Sequence, residues 1–201
     1  MSDAPTPRGI PPAGTLRWEV LGPGTDEEMA AIGLRRVRTL VELRRPLPLD
    51  PASRAGIAGI RTRPFDPGRD TDALLEVNNA AFDWHPEQGG WDRARLAEAL
   101  AQRWVDPDGL LVHDGDDGVL DGFCWTRVHT DRQLGEIWVI GAHPDRHGSG
   151  LGAALVAAGL DHLHERGLRT VTLFTEAENR PARRMYDRMG FALHETRGGY
   201  R

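Results

Sequence analysis

Residues 35–45 (RRVRTLVELRR) place Val37, Thr39, Val41 and Leu43 on one side and mostly arginine on the other, a period of two that predicts a strand. A shorter apolar stretch at 16–21 predicts another, stopped by Pro23 and Gly24. Between them, Thr25-Asp26-Glu27-Glu28 sets an N-cap candidate before acidic first-turn residues, predicting a helix over about 26–32 ended by Gly33. Pro46, Pro48 and Pro51 then break the pattern. From 60 onward the chain reads as a strand (60–65), two helices (71–82 and 92–104) flanking a Gly-rich loop at 85–90, and a turn at 106–109. Strands at 110–113 and 119–130 form a hairpin through DGDDG, and a strand at 134–142 follows. A helix at 150–165, a strand at 169–175, a helix at 181–189 and a strand from Phe191 complete a mixed α/β series.

The 201 residues amount to one domain plus an appendage. The boundaries read from the pattern are a disordered tail at 1–15, a strand-helix-strand segment at 16–47, a linker at 48–59 and the main domain at 60–201. A net charge of −5 argues against nucleic acid or an anionic membrane as partner. The single Cys124 excludes an internal disulfide, and the longest apolar run, 151–160, is half of what a membrane helix needs, so the expected setting is the cytoplasm. All 25 basic residues are arginine, which suggests a GC-rich genome.

The most informative stretch is 136–153 (EIWVIGAHPDRHGSGLGA), an apolar strand running through His147-Gly148-Ser149-Gly150-Leu151-Gly152 into a long helix with Ala153 in its first turn. Glycines at a helix N-terminus leave amides uncovered where the helix dipole also favours an anion, so a phosphate or pyrophosphate fits; the alternative is a turn that merely packs helix on sheet. A dinucleotide fold is excluded, because the glycines follow the fourth strand of the domain and no acidic residue ends a second strand some 20 residues later. Glu136, six residues before Ala142, is either a general base near the reacting groups or an exposed strand residue. Tyr186 stands two helical turns after Asn179, which caps the helix ahead of Pro181, and is either a proton donor or a core tyrosine.

This glycine turn resembles the acetyl-CoA signature of the GNAT N-acetyltransferases, with histidine at 147 where the family has glutamine or arginine. Phe174-Thr175-Glu176-Ala177-Glu178-Asn179 followed by Tyr186-Asp187-Arg188-Met189-Gly190-Phe191 is similar to the family's closing block. Val77-Asn78-Asn79, His85-Pro86-Glu87-Gln88-Gly89 and Gly122-Phe123-Cys124-Trp125-Thr126-Arg127-Val128-His129 further resemble the catalytic C-terminal half of the mycothiol synthases. The resemblance implies the GNAT fold, a mixed, mostly antiparallel central sheet flanked by helices, and makes 16–47 a remnant of an N-terminal repeat. It implies acetyl-CoA as co-substrate, no metal, and a small-molecule amine acceptor of the cysteinyl-glucosaminyl-inositol type, with other small amines and a non-catalytic acyl-CoA-binding module as alternatives. Glu136 becomes the general base and Tyr186 the acid that protonates the departing thiolate. Main-chain amides at Ile140, Gly141, Ala142 and His147 to Ala153, with Asn179, Ala182 and Arg184, bind the coenzyme, while Glu87, Arg127 and Phe174 face the acceptor. At 174 the mycothiol synthases tend to have tyrosine.

His143 and His147 are four residues apart, but Pro144 and Gly148 keep them off a helix and no third ligand is evident, which argues against a metal site, and Cys124 reads as a core residue rather than a nucleophile. The arginines of 35–45 form a solvated face or an ion-pairing edge. Because the chain ends soon after the strand from Phe191, 35–45 is a strand seeking an edge, padding the sheet in cis or across a homodimer.

Overall fold

The computed structural model describes residues 15–85 and 88–201. Its elements are β1 (Arg17–Val20), α1 (Thr25–Ala31), β2 (Arg36–Pro46), α2 (Pro51–Arg54), β3 (Arg63–Pro64), α3 (Pro67–Ala81), α4 (Arg93–Leu100), β4 (Leu110–Asp114), β5 (Leu120–His129), β6 (Leu134–Ala142), α5 (Leu151–Glu165), β7 (Thr170–Glu176), α6 (Arg180–Arg188) and β8 (Ala192–Tyr200). Two compact units result, and both are discontinuous in sequence, whereas the sequence reading cuts the chain between 47 and 60. The chain passes from one unit to the other inside β7, between Leu173 and Phe174. The expected tail at 1–15 falls, except for Thr15, outside the described residues.

One unit holds the described residues up to Arg44 with 174–187 and 191–201. In it β8 lies between β1 and β2, antiparallel to both. On its other edge β2 meets the end of β7, where the Ala177 amide donates to the Thr39 carbonyl at 2.8 Å. Of the two placements expected for 35–45, the strand therefore takes the one in cis. Its arginines are ion-paired: Arg38 with Glu176, and Arg44 with the buried Glu42 at 2.6 Å. Tyr200, fully buried against Met29 and Leu34, donates its hydroxyl to Asp26 at 2.6 Å.

The other unit, 45–173 with 188–190, orders its strands β7-β6-β5-β4-β3, antiparallel except for β6 with β7. Alternation along β5 divides its core. Phe123 and Trp125 pack with Leu74, Val77 and Leu96 of α3 and α4, while Gly122 and Cys124 face α5, where Leu155 and Gly159 approach within contact. The strand expected at 60–65 shrinks to two residues at the edge. The helix expected at 71 starts at Pro67, because the Asp66 carboxylate caps the Gly68 amide at 2.9 Å and proline suits the first turn. In the expected linker, Asp50 caps the single turn of α2, and α4 ends at Leu100, four residues before its expected end.

Candidate functional site

At the end of β6 the His143 amide donates to the Asp121 carbonyl at 2.8 Å, and a single turn at Pro144–Arg146 follows. Gly148 and Gly150 then adopt φ of +80° and +90°, a region that side chains rarely enter. Gly150 offers no side chain to cap α5; the Leu151 amide instead donates to Ser149 Oγ at 3.2 Å, and that hydroxyl donates to the Arg146 carbonyl at 2.7 Å. The first-turn amides of Gly152 and Ala153 have no acceptor among the described residues, and they sit at the positive end of a 15-residue helix. Donor type and glycine cradle both fit a diphosphate. Arg146, beside the turn, is paired with Asp121 at 2.8 Å, which raises its pKa, whereas His147 is exposed.

The strand leading to that turn is bent. Pairing of β5 with β6 steps from Trp125↔Val139 to Thr126↔Ile137, so Trp138 is an extra, bulged residue. The parallel ladder with β7 ends at the same point: it joins Gly135↔Val171, Glu136↔Thr172 and Ile137↔Leu173, and among the described residues goes no further. Beyond it, Ile140, Gly141 and Ala142 keep β5 on one edge only within this unit. A Cβ on Gly141 would lie 2.6 Å from the Phe123 ring, so that position must be glycine.

Glu136 is directly opposite Arg127 on β5, and both point to the face that carries Phe123 and Trp125. It is 7 % exposed rather than an open strand residue, and its Oε2 lies 2.7 Å from His129 Nε2. The Arg127 guanidinium stacks over the Trp104 ring at 4.8 Å. Trp104 in turn packs edge-on against Trp138 at 4.7 Å, and Trp138 against Trp125 at 4.8 Å. Arg127 Nε is buried with no hydrogen-bond partner among the described residues, although the residue as a whole is half-buried. His129 and Trp104 were not legible as site residues: one closes a strand, and the other was expected inside a helix.

The loop before α4 is pinned by the end of α3. Asn78 and Gln88 exchange hydrogen bonds at 2.8 and 3.0 Å, and Asn79 holds both the amide and the carbonyl of Trp91 at 2.8 Å. Glu87 lies outside the described residues.

The remaining expected site residues belong to the other unit. The Asn179 carbonyl oxygen accepts from the Ala182 amide at 3.2 Å, the cap expected for α6. Tyr186 is buried edge-on against Phe191 at 5.6 Å, and Arg184 is exposed. Phe174 is half-exposed beneath the Arg197 guanidinium at 5.1 Å.

Cys124 is fully buried, and burial pushes its thiol up to about 12, consistent with a core role. His143 Nδ1 accepts from the Asp145 amide at 3.3 Å and so caps the turn at Pro144–Arg146. Glu42, His194 and Glu195 lie close enough to share an ion, but Glu42 is already paired with Arg44 and Arg197.

Residues 74–191 match the acetyltransferase (GNAT) family. The chain is 46% identical over 176 residues to a mycothiol acetyltransferase of Acidimicrobium ferrooxidans, covering 84% of this chain and 56% of that one. With the mycothiol acetyltransferase of Mycobacteroides abscessus it shares 43% over 191 residues, covering 94% and 64%. It thus spans little more than half the length of the curated relatives it matches. Among solved structures, a GCN5-related N-acetyltransferase from Sphaerobacter thermophilus superposes with a TM-score of 0.71 at 27% identity, over 87% of this chain and 54% of that one. A tandem GNAT protein from the clavulanic acid biosynthesis pathway has the same fold, with a TM-score of 0.66 at 19% identity over 92% and 62%.

Proposed function

Because the chain belongs to the acetyltransferase (GNAT) family, we propose that it moves an acetyl group from acetyl-CoA to the primary amine of a small polar metabolite of the cysteinyl-glucosaminyl-inositol type. GNAT acetyltransferases use acetyl-CoA, and the observation that carries the reading here is the set of orphan amides at the start of α5, which suits a diphosphate. The amides of Gly152 and Ala153, where the glycine turn 148–152 opens into α5, hold that diphosphate. The free edge of β6 at Ile140, Gly141 and Ala142 receives the pantetheine arm and the acetyl oxygen, where a single oriented donor is worth about 2.7–4 kcal/mol in the transition state. Asn179, Ala182 and Arg184 complete the coenzyme site, and Tyr186 returns a proton to the departing sulfur.

Acceptor identity rests on the identity shared with mycothiol acetyltransferases. Arg127 on its tryptophan platform, Glu87 and Phe174 face the acceptor, with Glu136 beside the amine. Phe174 supplies a ring where a hydroxyl would hydrogen-bond a sugar, which favours a related but different small amine as the second reading. No described helix is long and apolar enough to cross a membrane, and the proposed setting is the cytoplasm.

The test is coenzyme-thiol release by the purified chain with acetyl-CoA and a panel of amines, alongside calorimetric binding of CoA. Turnover with the cysteinyl-glucosaminyl-inositol amine supports the first reading. Turnover only with other amines selects the second, and tight CoA binding with no turnover selects a non-catalytic module.

A further inference from the structure

Glu136 is not free to meet an ammonium group with both its oxygens: Oε2 is engaged by His129 Nε2 at 2.7 Å. A carboxylate can only accept, so Nε2 carries the hydrogen and the lone pair of the imidazole is left on Nδ1. Nδ1 has no partner among the described residues, and the His129 side chain is 21% exposed against 9% for Glu136. The more buried member of the pair therefore orients, and the more accessible one presents an unshared pair.

We infer that His129, held in one tautomer by Glu136, is the group that takes the proton from the acceptor's ammonium. The inference deepens the proposed acetyl transfer and rests on it. The acceptor R–NH3+ gives one proton to His129 Nδ1, which becomes imidazolium against the Glu136 carboxylate and releases that proton to water. The neutral nitrogen then forms the N–C bond to the thioester carbon, and the C–S bond breaks with its electron pair on sulfur. The second nitrogen proton balances the one that CoA sulfur gains, so one proton is released per acetyl transferred. Glu136 is on this account a positioning residue, stabilising the imidazolium much as a buried carboxylate does in a catalytic triad.

Arg127 shares its face of β5 and stacks on Trp104, the β7 residue beside Glu136 is the uncharged Thr172, and Asp131 and Arg132 on the following turn pair with each other at 3.6 Å. Glu136 is thus the anion in direct contact with the ring.

Two measurements on the full chain test this. In the coenzyme-thiol assay with the cysteinyl-glucosaminyl-inositol amine, His129→Gln keeps a hydrogen bond to Glu136 but offers no basic nitrogen. The expected result is a fall of about a hundredfold or more in kcat at neutral pH, with a rate that climbs tenfold per pH unit as free amine replaces ammonium, and unchanged CoA binding. Glu136→Gln should retain a histidine-dependent pH limb at reduced rate. If His129→Gln keeps the wild-type rate and profile while Glu136→Gln loses them, Glu136 acts directly and the inference is overturned. Nitrogen-15 NMR of the ring decides independently of turnover: hydrogen on Nε2 with a bare Nδ1, lost in Glu136→Leu, which offers no acceptor, supports it, and hydrogen on Nδ1 in the neutral ring overturns it. An enzyme that turns over no amine but shows the expected ring state refutes the acetyl transfer and leaves the pair's geometry standing.

Discussion

Gly159 of α5 packs directly on Cys124 of β5: a Cβ at 159 would lie 2.6 Å from the cysteine sulfur and 2.8 Å from Ile137 Cδ1. The helix that carries the orphan amides is therefore seated on the sheet through a glycine, and its distance from β5 and β6 is set by the absence of one methyl group. Gly159→Val should destabilise the protein by about 2 kcal/mol through overpacking. Cys124→Ala should recover part of that loss, read as non-additivity in denaturant unfolding of the double mutant. Its thiol, fully buried and pushed up to about 12, should resist thiol reagents until the protein unfolds.

Gly150 caps α5 at φ +90°, with nothing within 4 Å of a Cβ built there, so Gly150→Ala introduces backbone strain without a clash. The variant should lose about 1 kcal/mol of stability. If the turn relaxes toward negative φ, its amides turn away from the diphosphate, and CoA affinity measured by calorimetry should fall about tenfold.

Arg63 bridges two aspartates, donating to Asp70 at 2.6 and 2.9 Å and to Asp114 at 2.8 Å. Burial pushes the Asp70 carboxyl up, but the hydrogen bonds from Arg63 and from the Asp66 amide, together with the charges of Arg63 and Arg69, outweigh it and hold the group below its usual range. The Arg63 hydrogen bond likewise lowers Asp114. A folded pKa below the unfolded one gives stability that is present above about pH 4 and lost as pH falls through the folded values. Arg63→Met should cost about 2 kcal/mol at pH 7, because the buried Asp70 keeps only the Asp66 amide at 2.8 Å and the more exposed Arg69 at 3.5 Å, and should flatten the acid limb of a urea-midpoint titration from pH 7 to 3.

Tyr200 gives the opposite sign. Burial, then the hydrogen bond and charge of Asp26, raise its phenol from 10.0 to about 12. The neutral phenol is favoured in the fold, so its contribution is complete below the unfolded pKa and disappears as pH rises from about 10 to 12. Tyr200→Phe should lower stability by about 1 kcal/mol at pH 7 and lose the alkaline limb in unfolding measured between pH 9 and 12.

The glycine turn, the cap at Asn179 and the cysteine's place in the core were legible because each is local. A helix start, an αL glycine or a buried strand position is dictated by neighbours within a few residues of sequence. The role of His129 was not, since its partner Glu136 is brought to it only by pairing of β5 with β6 and the register of that ladder. Trp104 was misplaced for a related reason: the helical pattern continues past Leu100, but the chain leaves α4 there and turns the indole under Arg127. The burial of Glu42 in β2 was hidden as well, because period two says which residues share a side but not which side meets a neighbour.

What the amino-acid order decided on its own was the sequence of elements, the glycine turn that exposes amides at the head of α5, and the family to which those motifs point. Only the tertiary structure decided that β2 enters the sheet in cis between β8 and β7, that a bulge at Trp138 coincides with the end of the β6–β7 ladder, and that an imidazole and a carboxylate seven residues apart form one unit. Period and propensity act over one or two turns of chain, whereas strand insertion and side-chain pairing depend on register between segments whose encounter no local pattern encodes.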